Sequence, residues 1–288
     1  MQLEPSELIL NADNSIYHLN ILPEDIAPTI ITVGDPDRVA AVSKYFDTVE
    51  LKKGKREFIT HTGFLNGKRI SVISTGIGTD NIDIVLNELD ALVNIDFGTR
   101  TIRAEKTSLD IVRIGTSGAI QGDIPINSFL LSEKAIGFDS LLQFYDSKHI
   151  QDAALQKAFV NHTEWSKDKS EPYVVGCDAA LAKQLMSHSM QKGFTATNVG
   201  FYGPQGRILR LKTQDEHLNE KLSSFNYNGL KITNLEMETS GIYGLSQLLG
   251  HKAVSLNAIL ANRKTGEFST TPSETMDALI QYTLTKLT

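Results

Sequence analysis

Cysteine is nearly absent from this sequence: its 288 residues include one, Cys177, so no disulfide can form within the chain. The opening Met1-Gln2-Leu3-Glu4-Pro5 lacks the basic start and apolar run of a signal peptide, and the expected location is the cytoplasm. No stretch approaches the ~18 consecutive apolar residues that a bilayer-crossing helix requires. An excess of basic charge is missing too. Lys and Arg number 28 against 34 Asp and Glu, for a net charge of −6, which argues against a partner that is nucleic acid or an anionic membrane. Any bound anion must therefore be held by a local cluster. The seven histidines are scattered, and no Cys pair or HExxH spacing gathers ligands for zinc. Internal repeats, low-complexity tracts and Pro/Ser-rich linkers are also lacking. With 41% apolar and 22% charged residues, the chain reads as globular rather than disordered.

What fills the sequence is an alternation of short apolar β-rich runs with helical periodicity. Thr29-Ile30-Ile31-Thr32-Val33, Ile70 to Ser74 and Leu109 to Ile114 read as buried strands, each ending at a glycine. Between the last two, Ile82, Val85, Leu86, Leu89, Leu92 and Val93 recur at spacings of three and four, which gathers them on one helix face. Further strands are expected at 173–177, 231–234 and 253–258, with helices over 39–46, 179–190 and 237–249. Thr271-Pro272-Ser273-Glu274 offers an N-cap threonine with proline at the first helical position, and Met276, Leu279, Ile280, Leu284 and Leu287 supply that last helix's buried face. The whole reads as one α/β domain, interrupted by a charge-rich, solvated excursion from Asp96 to Lys106.

Several segments carry chemistry. Gly34-Asp35-Pro36-Asp37-Arg38 follows the first strand, where a glycine lets an anion reach backbone N–H groups and Arg38 adds charge; a tight turn with an exposed arginine reads the same way. Arg113-Ile114-Gly115-Thr116-Ser117-Gly118 sets an arginine inside an apolar strand, which calls for an anionic ligand or a core carboxylate, with donors and hydroxyls following where the strand ends. Thr75-Gly76-Ile77-Gly78 fails the dinucleotide fingerprint, since no third glycine follows at the required spacing. Lys52, Lys53, Lys55 and Arg56 form a basic cluster of the kind that is usually solvated. Phe201-Tyr202-Gly203-Pro204-Gln205-Gly206-Arg207 combines aromatic rings with a glutamine and an arginine, matched to the edge of a polar heterocycle or else an ordinary surface loop. At Glu236-Met237-Glu238-Thr239, one carboxylate is explained by the start of a helix, whereas two also offer acceptors for vicinal hydroxyls over an apolar methionine floor.

Taken in this order, from about His18 to the final helix, the segments resemble uridine phosphorylases, of the superfamily that also contains hexameric purine nucleoside phosphorylases and related nucleosidases. The resemblance implies a single domain over 1–288 with a central mixed, partly barrel-like β-sheet flanked by helices. It implies a pentosyltransferase reaction, the reversible phosphorolysis of uridine to uracil and ribose 1-phosphate. It assigns phosphate to Gly34, Arg38, Arg113 and Thr116, with Arg56 contributed by a neighbouring subunit. Met237 and Glu238 would hold ribose, joined by the neighbour's His18, while Phe201, Gln205, Arg207 and Arg263 would hold the base.

The resemblance further implies a homo-oligomer, with a dimer as the minimal active unit or a hexamer, and segment 1–25 at a subunit interface. No cofactor is called for, phosphate being a co-substrate. Some members bind a monovalent cation at the dimer interface; Glu57 and Ile77 match that site, and Asn81 stands where a serine is expected. Purine-specific members place an aspartate after the last strand, where this chain reads Ala261-Asn262-Arg263. The alternatives are a purine nucleoside phosphorylase or nucleosidase on the same fold, and a catalytically silent nucleoside-binding protein.

Overall fold

The computed structural model describes residues 2–288. Its frame is a mixed sheet of twelve strands. Strands β1 (Thr29–Val33), β2 (Thr48–Lys55), β3 (Phe58–Leu65) and β4 (Lys68–Ser74) come first, with helix α1 (Pro36–Ser43) after β1 and α2 (Thr79–Asn94) after β4. Two short strands, β5 (Ile95–Asp96) and β6 (Thr101–Ile102), pair with each other apart from the main sheet. The long β7 (Asp110–Ala119) and β8 (Phe129–Gly137) follow, then α3 (Ala153–Thr163), β9 (Tyr173–Gly176), α4 (Ala179–Leu185) and β10 (Met190–Thr197). The chain closes with α5 (Leu218–Ser224), β11 (Asn226–Tyr227), β12 (Leu230–Glu236), α6 (Thr239–Leu249), β13 (Lys252–Asn262), β14 (Glu267–Phe268) and α7 (Pro272–Leu287).

The sheet runs β11-β12-β10-β8-β13-β7-β1-β4-β3-β2, and β12 has a third partner, β7, which it pairs antiparallel. That extra pairing closes β7, β13, β8, β10 and β12 into a barrel, so the partly barrel-like sheet is present. The single α/β domain is present as well. Strand alternation explains the layering: Ile30, Ile73 and Ile111 pack with α2 and α6 on one face, whereas Ile31, Val72 and Val112 pack with α1, α4 and α7 on the other. In α7, Met276, Leu279, Ile280, Leu284 and Leu287 are all buried, as their spacing predicts. A third apolar cluster fills the space between the barrel and helices α3 and α5.

Several local expectations are corrected. The helix expected over 179–190 ends at Leu185, because Met190–Thr197 is drawn into the barrel between β8 and β12. Gly115 to Gly118 lie within β7 rather than beyond its end, since pairing with β13 continues to Ala119. Helix α1 begins earlier than periodicity alone indicates: Asp35 accepts from the Asp37 N–H at 2.9 Å and Pro36 occupies the first position. The Thr271 side chain makes no N-cap bond; its carbonyl accepts from the N–H and hydroxyl of Thr275 instead. The excursion at 96–106 is anchored, because the Arg100 guanidinium donates to the carbonyls of Leu3, Glu4 and Leu8. The N-terminal segment also packs inward, through Leu8, Ile16, Leu19 and Ile21.

Candidate active site

Strand β1 lies between two parallel neighbours, β4 and β7. The chain leaves the carboxyl ends of these strands in different directions, which opens a crevice where open α/β sheets bind ligands. A cavity of about 770 Å³ occupies that place. It is reached by the loop after β1, the start of α2, the outer half of β7, the junction of β12 with α6, and the turn at 201–207.

One end of the cavity is cationic. Gly34 brings the first loop close to the second, where an added Cβ would stand 3.4 Å from the Gly76 carbonyl oxygen. The half-buried Arg38 reaches the Ile114 carbonyl at 3.5 Å. Burial holds its pKa below the usual arginine value and Arg113 adds to that, with Asp35 and Glu238 opposing. An anion placed here would relieve that unfavourable charge. Arg113 is buried, and its pairing with core carboxylates holds. It lines the cavity, and its Nη2 meets Glu238 Oε2 at 2.5 Å and Glu236 Oε2 at 3.1 Å. Burial works against its charge, but the two carboxylates more than offset this and raise its pKa. Thr116 lines the same wall from β7.

The two glutamates divide their work. Glu236 accepts from the N–H groups of Glu238 and Thr239 and from the Thr197 hydroxyl, so it is the carboxylate that the helix start accounts for. Glu238 accepts from the Gly78 N–H at 2.9 Å and from Arg113. Its pKa is raised by burial and by Glu236, against the pull of Arg113. Met237 lies between them and lines the cavity.

The opposite end is borne on a loop. A short 3-10 turn, Gly203–Gln205, turns the Gln205 side chain inward, where it is buried. Its Oε1 accepts from Arg207 Nη1 at 2.6 Å, and the Arg207 guanidinium lies 3.8 Å over the Phe201 ring. Burial lowers the Arg207 pKa. Arg263 does not line the cavity: it donates to the carbonyls of Gln205 and Gly206 and braces the loop from behind, together with Asn219. Its pKa is lowered by burial and by Arg207.

Residues 28–284 match the family model described as the phosphorylase superfamily. Uridine phosphorylase of Thermococcus kodakarensis is 30% identical over 261 residues, covering 88% of this chain and 79% of the relative. A DeoD-type purine nucleoside phosphorylase of Bacillus subtilis is 27% identical, covering 88% and 90%. A Trypanosoma brucei nucleoside phosphorylase whose crystal structure is described as showing uridine phosphorylase activity superposes with a TM-score of 0.86 at 28% identity, over 97% of this chain and 99% of that one. This chain belongs to the phosphorylase superfamily.

The end of its last long strand, Ala261-Asn262-Arg263, carries no acid. Asn262 is fully engaged there, donating to the carbonyls of Gln121 and Ile124 at 2.8 Å and accepting from the Lys264 N–H. Two residues assigned to the site do not line the cavity within their own chain. Arg56 is exposed in the turn between β2 and β3, in left-handed backbone at φ 57°. His18 pairs with Glu88 at 2.7 Å and packs edge-on against Tyr17 and Phe58. At the candidate cation set, Asn81 Nδ2 faces Glu57 Oε1 at 3.4 Å and Ile77 is exposed. No step runs through an ion at this set. Sequence reasoning missed Asn257, whose Oδ1 lies 3.2 Å from Arg113 Nη1. The signal for it was the one used for Arg113, a polar residue inside an apolar strand run.

Proposed function

We propose that this chain catalyses the reversible phosphorolysis of uridine to uracil and ribose 1-phosphate. The observation that carries the reading is the pairing of Gln205 with Arg207 at one end of a cavity whose other end holds Arg38 and Arg113, with no acid at Asn262. Phosphate sits among Gly34, Arg38, Arg113 and Thr116, and ribose over Met237 with its hydroxyls on Glu238. As the glycosidic bond stretches, C1′ becomes cation-like and the base gathers negative charge. Bound phosphate supplies the anion at C1′ and forms the new C–O bond there. Gln205 and Arg207 supply an amide and a guanidinium to the two uracil carbonyls and the N–H between them, with Phe201 beside the ring. No covalent enzyme intermediate and no cofactor is required.

Arg56 and His18 are assigned to the site of a second copy of the chain, which makes a homo-oligomer of at least two subunits the active form. Their position away from the cavity of their own chain supports this. The single cysteine and acidic composition are in keeping with a cytoplasmic enzyme. The test is uracil release from uridine with and without phosphate, beside hypoxanthine release from inosine. Phosphate-dependent uracil release with little inosine cleavage is expected. Inosine cleaved as well as uridine supports a purine enzyme, release without phosphate a nucleosidase, and binding without turnover a silent binding protein. Mixing inactive Arg56→Ala with inactive Arg113→Ala subunits should restore part of the activity if Arg56 acts across subunits.

A further inference from the structure

The barrel interior is expected to be apolar, yet it holds a continuous line of fully buried small polar side chains that ends on Arg113. The Arg113 guanidinium folds back over Gly115, where an added Cβ would stand 2.0 Å from Nη1 and 2.4 Å from Cζ. The β13 residue in register with Gly115 is Asn257. Its Oδ1 accepts from Arg113 Nη1 at 3.2 Å while its Nδ2 donates to the Ser132 hydroxyl at 3.1 Å. Arginine has donors only, so the amide has one workable orientation: oxygen toward Arg113 and nitrogen toward Ser132. Ser132 is fixed in turn by Thr195 at 2.5 Å, Thr195 by Asn234 at 2.9 Å, and Asn234 donates to Ser117 at 3.0 Å on the cavity wall.

We propose that Asn257 is a positioning residue that holds the Arg113 guanidinium in the attitude from which it meets phosphate. The proposal rests on the phosphorolytic reading above. On its Nη2 side Arg113 is drawn by two carboxylates, Glu236 and Glu238. Without Asn257, only the Ser255 hydroxyl at 3.4 Å accepts on the Nη1 side and opposes that pull. Asn257 supplies a neutral counterweight. An aspartate there would be a third carboxylate competing with phosphate for the same cation, and an apolar residue would let the guanidinium turn toward the glutamates.

The experiment measures phosphate KM, uridine KM, equilibrium phosphate binding and Tm for the wild type and for Asn257→Ala, Asn257→Asp and Ser132→Ala. A hydrogen bond to a charged group is strong enough that Asn257→Ala should raise the phosphate KM and weaken phosphate binding roughly tenfold, with the uridine KM near its wild-type value. Asn257→Asp should raise the phosphate KM further although it keeps an acceptor. Ser132→Ala, which touches Arg113 nowhere, should give a smaller shift of the same kind, and it carries the test if the Asn257 variants fail to fold. A phosphate KM unchanged, or changed in proportion to the uridine KM, overturns the proposal. A wild-type protein with no phosphate-dependent uracil release overturns the functional reading instead, and the proposal with it.

Discussion

The two ends of the cavity are built to opposite designs. At the cationic end, Arg113 projects from a barrel strand and is held by two carboxylates and an amide, and Arg38 rises from the first turn of a helix capped by its own loop. At the other end, Gln205 and Arg207 sit on a turn whose neighbours are exposed: Phe201 at 51%, Tyr202 at 54% and Leu209 at 79%. The Gln205 side chain is held by Arg207, which itself donates to the Phe201 carbonyl and lies over the Phe201 ring. An anion of fixed shape gains from donors whose orientation is settled before it arrives, which limits the reorganisation that binding must overcome. A flat base gains from groups that exchange a mutual bond for bonds to the base, because a base lacking the right edge then leaves them unpaired. Stability and affinity are therefore joined at the cationic end and separable at the loop end.

Arg113→Ala breaks this comparison most severely. It strands Glu236 and Glu238 in the interior, and removing one partner from a buried ion pair costs about 3 to 5 kcal/mol. Chemical denaturation should show a loss of that order together with a fall in turnover, and a phosphate KM raised more than the uridine KM. Unchanged stability would mean that the carboxylates find other partners.

A pair of glycine substitutions sharpens the contrast. Gly115→Ala drives a methyl group into the Arg113 guanidinium, and overpacking of this kind costs about 1 to 3 kcal/mol. Gly203→Ala, in the base-side turn, meets nothing within 4 Å and should leave Tm nearly unchanged. Equal effects in a thermal melt would remove the distinction. Gln205→Ala should lower kcat/KM for uridine roughly tenfold or more, through hydrogen bonds lost to a leaving base that is gathering charge, with the phosphate KM and Tm close to wild type. Steady-state kinetics with each substrate varied in turn checks it.

The smallest effect concerns His61, buried in β3 with its Nδ1 2.7 Å from the Ser43 hydroxyl at the end of α1. Burial, with Lys52 nearby, lowers its pKa from the ordinary 6.5. The fold therefore favours the neutral ring. Its contribution to stability is complete above pH 6.5 and is lost as pH falls from there through the lowered folded value. Denaturant unfolding of His61→Asn between pH 7.5 and pH 5 should show a shallower loss of stability below about pH 6.5 than the wild type. A parallel loss would assign the pH dependence to other groups.

Much of the fold was legible because short-range physics writes it into the chain. The buried apolar run at Thr29–Val33, the spacing of Ile82 to Val93 and the buried stripe of α7 each follow from a local pattern. The extent of β7 and the identity of β10 were not legible, because both depend on which strands stand beside them. At the cavity, residue types pointed to most of the polar side chains that line it, though Arg263, Arg56 and His18 stand outside it. Arg113 in an apolar strand and two glutamates at a helix start each pointed to charge in need of a partner.

What the sequence determined by itself was the α/β alternation, the absence of a purine-type acid at Asn262 and the polar groups that the proposed function assigns to phosphate, ribose and base. Tertiary structure alone decided how those groups are placed: that Arg113 pairs with Glu236 and Glu238, that Glu236 caps while Glu238 reaches the Gly78 N–H, that Arg263 braces a loop, and that Asn257 stands beside Gly115. Local pattern follows from one segment's own period and propensity. The partner that Arg113 finds in Asn257 lies 144 residues away on the neighbouring strand, and only the closure of β12 onto β7 completes the barrel to which both strands belong.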